Sequence, residues 1–127
     1  MHYKMSLKHN PALEHDSVQR TQMLKGLAEL ALLSLLDEEA CYGLEILERL
    51  RSDAGLQLAE GAVYPLLHRL EKSGWTAAEW RLDPQNGRPR KYYAITDAGR
   101  EELRAQRASW SEMSSRLTHF LERRVRP

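Results

Sequence analysis

Apolar residues first gather between Leu24 and Leu36, where Leu27, Leu30, Ala31, Leu33, Leu35 and Leu36 cover most of a helical circumference. A helix that is apolar nearly all round is a buried one. The pattern predicts a first helix, capped by Thr21 and starting at Gln22, that is the centre of the core or is shared with a second subunit. The acidic run Asp37-Glu38-Glu39 ends it. A second helix is predicted from Tyr42 to Asp53, on the 3.6-residue stripe of Leu44, Ile46, Leu47 and Leu50, with Gly55 as its stop. After the short link Leu56-Gln57-Leu58, a third runs from about Glu60 to Ser73. It turns Val63, Leu66, Leu67 and Leu70 inward and leaves Tyr64, His68, Arg69 and Lys72 toward solvent or a partner.

Beyond Gly74 the period changes to two. Trp75–Leu82 and Arg90–Thr96 are predicted strands, and Asn86-Gly87 is the sharpest turn signal between them. Thr96-Asp97 caps a last helix running to about Arg124. At about 1.5 Å per residue it extends roughly 40 Å. Leu103, Trp110 and Leu117 recur every seven positions, with Gln106, Met113 and Phe120 between them and Leu121 beside them. That seam fits pairing with a second copy or with helix one. We favour a homodimer, because a terminal helix this long outruns the domain that could cover it.

The chain thus divides into an extension (1–20), a helical domain with a two-stranded hairpin (21–96) and a terminal dimerisation helix (97–127). The class is mainly α (α+β), a winged helix-turn-helix. Its 127 residues fit one domain, with 42% hydrophobic and 29% charged residues. A net charge of +1 identifies no partner in bulk, so distribution must do so. The one cysteine, Cys41, excludes an intramolecular disulfide framework and any Cys-x-x-Cys motif. The first twenty residues hold no apolar stretch of signal-peptide length, and no run is long enough to span a bilayer. A cytoplasmic location without membrane contact is the expectation. No phosphate-binding glycine loop, nucleophile elbow or His-x-x-x-His pattern is present, so no enzyme and no cofactor is expected.

In a helix-turn-helix the later helix enters the major groove and its N-terminal residues reach base edges. Charge fits that plan. Acids dominate from Asp37 to Glu60, whereas Arg88, Arg90 and Lys91 form a basic wing, and Arg69, Lys72 and His68 stand on helix three. Three basic residues also serve as a solvated edge against strand aggregation; the helix order favours phosphate contact. Pro65 removes a hydrogen bond to Gly61, so the first turn, Glu60 to Tyr64, is expected to be irregular and to offer free N–H groups and Tyr64 to a phosphate.

Three stretches carry a resemblance. Tyr42-Gly43-Leu44-Glu45-Ile46 resembles the Tyr-Gly-Tyr-Glu-Ile signature of PadR-family regulators. Leu58 to Glu71 resembles that family's recognition helix. Gly87-Arg88-Pro89-Arg90-Lys91-Tyr92-Tyr93 with Ile95-Thr96-Asp97-Ala98-Gly99 resembles its wing and the entry to its last helix. The resemblance spans roughly Met23 to Arg124 and implies a dimeric repressor of the compact subfamily, bound to a pseudo-palindromic operator in double-stranded DNA. It places DNA contacts at Tyr42, Ala59, Gly61, Ala62, Tyr64, His68, Arg69, Lys72, Arg88, Arg90 and Lys91. Ala59 stands where the family has Ser or Asn, Ala62 where it has Thr, and Leu44 where it has a second Tyr. Ala59 cannot cap a helix by its side chain, and Ala62 cannot hydrogen-bond a base, though it can touch a thymine methyl.

The resemblance also implies release by a small hydrophobic or aromatic effector in the dimer seam. Met23, Gly26 and Leu30 would line that slot from helix one, and Trp110, Met113 and Ser114 from the last helix. Plain interface packing explains Trp110 as well. Two other readings stay open: a winged-helix protein-interaction module without DNA binding, and a metal-responsive regulator in which Cys41 joins histidines across a dimer.

Overall fold

The computed structural model describes residues 27–123. The extension, the Thr21 cap, Met23 and Gly26 lie outside the described residues. Helix α1 occupies residues 27–38 of the described chain. It is followed by β1 (Cys41–Tyr42), α2 (Gly43–Ala54), α3 (Glu60–Lys72), β2 (Thr76–Leu82), β3 (Pro89–Ile95) and α4 (Asp97–Glu122). The fold is mainly helical with a small antiparallel sheet, a winged helix-turn-helix.

Helix α1 is the centre. Leu32, Leu33, Leu35 and Leu36 are buried together with Ile46 and Leu50 of α2, Val63, Leu67 and Leu70 of α3, Tyr93 and Ile95 of β3, and Leu103 of α4. Its apolar circumference is spent on several neighbours at once.

Local chemistry sets the boundaries. Tyr42 is extended at the N-cap of α2, and its N–H donates to Glu45 Oε1 at 3.4 Å. Gly55 ends that helix with φ 69°, a left-handed conformation that glycine adopts without a Cβ penalty. Its N–H reaches the Arg51 carbonyl at 3.2 Å, and the Leu56 N–H reaches that of Leu50 at 2.9 Å. Helix α3 starts at Ala59 without any side-chain cap and runs on through Pro65. The expected irregularity is confined to a tightened first turn, where the Ala62 N–H bonds the Ala59 carbonyl at 2.9 Å. Thr96 caps α4: its Oγ1 accepts the Gly99 N–H at 3.0 Å and donates to the Gly74 carbonyl at 2.7 Å. Gly99 is required there, because a Cβ would run into the Trp75 carbonyl.

The sheet has three strands in the order β1-β3-β2, all antiparallel. The sequence pattern anticipated the hairpin but not β1, a two-residue strand at the residue expected to open helix two. It pairs Cys41 with Tyr93 and Tyr42 with Tyr92, fastening the start of α2 to the wing.

Helix α4 runs antiparallel to α1. Arg100 Nε meets Asp37 at 3.2 Å, Arg107 Nη2 meets Ser34 at 3.2 Å, and Gln106 Nε2 meets Glu29 at 2.6 Å. Two residues expected on the dimer seam are used inside the chain: Leu103 is 2% exposed in the core, and the Gln106 amide is bonded to Glu29 and Glu102. Among the described residues the uncovered apolar face therefore starts at Trp110 and continues through Met113, Leu117, Phe120 and Leu121, the last four 57–65% exposed. No described helix is long and apolar enough to cross a membrane.

Candidate nucleic-acid interface

Helix α3 presents one face outward along its whole length. Ala59, Gly61, Ala62, Tyr64, His68, Arg69 and Lys72 are exposed, while Val63, Leu67 and Leu70 are buried behind them. A Cβ at Gly61 would meet nothing within 4 Å, so its bare backbone is open to a ligand surface.

Tyr64 leans across to α2. A Cβ built at Gly43 would lie 2.5 Å from its phenol oxygen, so the ring is seated on the first turn of α2 in a place only glycine leaves free. Behind it opens a cleft of about 410 Å³ between the start of α2, Tyr64 and the wing. Tyr42, Leu44, Trp80, Pro89, Arg90, Lys91 and Tyr93 complete its walls.

The basic residues differ in freedom. The Arg90 guanidinium lies 4.4 Å from the Tyr42 ring centroid, and its Nε donates to Asp83 Oδ2 at 2.7 Å. Asp83 also accepts the Gln85 N–H at 2.8 Å. That backbone bond first, and Arg90 next, hold the Asp83 carboxyl below the usual carboxylate range. Lys91 sits 5.4 Å from the Tyr93 ring and 3.9 Å from Glu71. Arg69 is 2.7 Å from Glu29 of α1. Arg88, His68 and Lys72 make no ion pair among the described residues. Among the described residues Arg88 at the wing tip and Lys72 at the far end of α3 are thus open cations, whereas Arg69, Arg90 and Lys91 are tethered.

Matches to known proteins fit this geometry. Residues 32–105 match the transcriptional regulator PadR-like family. The chain belongs to the PadR-like family of transcriptional regulators. A PadR-like regulator from Bacillus cereus superposes with a TM-score of 0.75 at 34% identity, covering 81% of this chain and 99% of that one. A PadR family regulator from Eggerthella lenta gives 0.74 at 32% identity, covering 87% and 96%. The transcriptional regulator Rv3488 of Mycobacterium tuberculosis is 38% identical over 60 residues, 47% of this chain and 54% of that protein. This PadR-like chain is accordingly a regulator of the DNA-binding type and not an enzyme.

Of the residues placed at an effector slot, Leu30 and Ser114 are half-buried, and Trp110 and Met113 are exposed on α4. Residue numbers fall along α1 as they rise along α4, so Trp110 follows toward the N-terminal end of described α1. Cys41 is fully buried, its Sγ 3.5 Å from the Glu39 carbonyl and 3.9 Å from Arg49 Nη1. Burial, and then the charge of Glu45, push its thiol up to about 11 against the pull of Arg49. Among the described residues no group of three metal-ligating side chains converges.

Sequence reasoning missed three participants. Trp80 read only as an alternating strand residue, yet it stands 69% exposed on the cleft wall. Glu29 and Asp83 carry no signal of their own in the sequence, because their cationic partners lie on other elements or across a turn. The alternation of β2 was the one available signal, since it put Trp80 on the same side as Thr76 and Ala78.

Proposed function

We propose that the chain acts as a homodimer that binds a pseudo-palindromic operator through α3 and the wing. In this reading it represses transcription until a small hydrophobic or aromatic effector enters the seam between two α4 helices. The observation that carries it is the pairing of two surfaces on one rigid frame. One is the exposed face of α3 with the basic wing; the other is the apolar stripe from Trp110 to Leu121. Exposed apolar runs of that length on a helix mark an association surface. A two-fold axis through α4 would set two recognition helices on successive turns of one duplex face.

Phosphate contact falls to Tyr64, His68, Lys72 and Arg88, and to Arg69, Arg90 and Lys91 where the duplex outcompetes their present partners. Tyr42 supports Arg90 from beneath. Base contact falls to Ala59, Gly61 and Ala62 at the start of α3, where small side chains allow close approach and an alanine methyl can meet a thymine methyl. Helix α3 leaves its first-turn N–H groups uncapped by a side chain, which suits an anion.

The test is the double substitution Met113→Glu with Phe120→Glu. Both side chains are exposed in the single chain, so the fold should survive. Sedimentation should show a dimer for the parent and a monomer for the variant, and the variant should bind an operator duplex far more weakly. A variant that stays dimeric would remove α4 as the seam.

A further inference from the structure

The inner face of the wing carries an apolar edge that phosphate contact leaves unexplained. In the β2–β3 register, Thr76, Ala78, Trp80 and Leu82 share a face with Ile95, Tyr93, Lys91 and Pro89. At the base of the hairpin this face is core: Thr76, Tyr93 and Ile95 are buried. Toward the tip no described residue covers it, and Trp80 and Leu82 stand 69% and 70% exposed. A wing that only gripped phosphates would put polar side chains there. The opposite face does so with Glu79, Arg81 and Arg90.

We infer that Trp80, backed by Leu82 and Pro89, is an apolar wedge that packs into the minor groove of the bound duplex beside the recognition helix. The inference rests on the DNA-binding reading above and adds a contact to it. Three observations choose DNA as the occupant. Trp80 lines the same cleft as Tyr64 of α3, which sets the indole beside the start of the recognition helix. Cations flank the edge: Lys91 pairs across the strands with Trp80, and Arg88 follows Leu82 around the turn with no ion-pair partner among the described residues. An apolar centre rimmed by positive charge complements a groove whose floor is apolar sugar and base edge and whose rims are phosphate. Apolar side chains insert between base steps and kink the duplex from its minor groove.

This wedge differs from a cationic contact in its salt dependence. Losing a phosphate contact reduces the slope of log affinity against log salt by about one. Losing an apolar wedge lowers affinity and leaves that slope unchanged. The experiment measures duplex affinity by fluorescence anisotropy from low to moderate salt for the parent, Trp80→Ala, Trp80→Phe and Arg88→Ala. Sedimentation of each checks the assembly.

Trp80→Ala should bind about tenfold or more weakly with the parental slope, Trp80→Phe should keep most of the affinity, and Arg88→Ala should lose slope. Parental affinity in Trp80→Ala overturns the inference while leaving the DNA-binding reading intact. So does a weaker Trp80→Ala that has lost slope, or one whose oligomeric state has changed, since Trp80 would then act electrostatically or between protein copies. A parent that binds no duplex at any salt overturns the DNA-binding reading itself.

Discussion

Substituting Gly43 by alanine adds one methyl group to α2 and should be felt mainly by Tyr64 of α3. The new Cβ would stand 2.5 Å from the Tyr64 oxygen and 2.8 Å from Cε1 and Cζ, so the ring must move. Overpacking of this kind costs about 1–3 kcal/mol. Tyr64 is half-exposed and can swing outward, which places the cost at the low end. Against it stands the helical advantage of alanine over glycine, about 0.5–1 kcal/mol. The net expectation for Gly43→Ala is a loss of up to roughly 0.5 kcal/mol. In a Tyr64→Ala background the obstacle is gone, and the same methyl should stabilise by roughly 0.5–1 kcal/mol. Urea unfolding of the parent, the two single variants and the double variant measures both effects. The sign must reverse between backgrounds. Equal destabilisation in both would refute the reasoning that Gly43 is kept free for Tyr64. Duplex affinity gives a second reading: Gly43→Ala should weaken binding much as Tyr64→Ala does, and the double variant should be no worse than Tyr64→Ala alone.

Further outcomes follow from the ion pairs and the thiol. Glu29 holds Arg69 of α3 and Gln106 of α4 at once; Glu29→Gln should cost at most about 1 kcal/mol, since Arg69 is largely exposed, yet strengthen duplex binding and steepen its salt slope by releasing Arg69. A slope no steeper than the parent's would show that Arg69 stays out of reach of the phosphates. Asp83 is held below its ordinary value of 3.8 by the Gln85 N–H and then Arg90. Its contribution to stability is therefore present above that value and lost as pH falls through the lower folded-state one. Asp83→Asn should flatten this acid limb in a circular-dichroism titration; an unchanged limb would place the acid sensitivity elsewhere. Cys41, fully buried and with its thiol pushed up to about 11, should resist alkylation in the native protein at neutral pH and react at once in denaturant. Fast native labelling would favour the metal-responsive reading.

Much of this fold was legible because its elements follow local rules. The apolar stripe of α3, the Asn-Gly turn and the Thr96 cap each act within a few residues, and their predicted boundaries fall within two residues of those observed for α2, α3 and both hairpin strands. Strand β1 was not legible, because two residues cannot display a period and its identity comes from pairing with Tyr92 and Tyr93. The same limit governs the site. Outward positions on α3 follow from helical geometry, but whether a cation there is free depends on distant acids. Arg69 is tethered by a residue forty positions earlier, Arg90 by the first residue of the turn. The heptad spacing of α4 could not say where the chain's own core ends. Leu103 and Gln106 belong inside and Trp110 outside because the described part of α1 covers only the first part of α4.

The central claim is that this protein grips a specific duplex as a dimer. Fluorescence anisotropy with a labelled duplex from upstream of its own gene, against a scrambled duplex of equal length, tests it over a range of salt concentrations. Tighter binding to the upstream duplex is expected, at two protomers per site, with affinity falling steeply as salt rises. Absence of binding to either duplex at the lowest salt would contradict it and would leave a winged-helix module that binds other proteins.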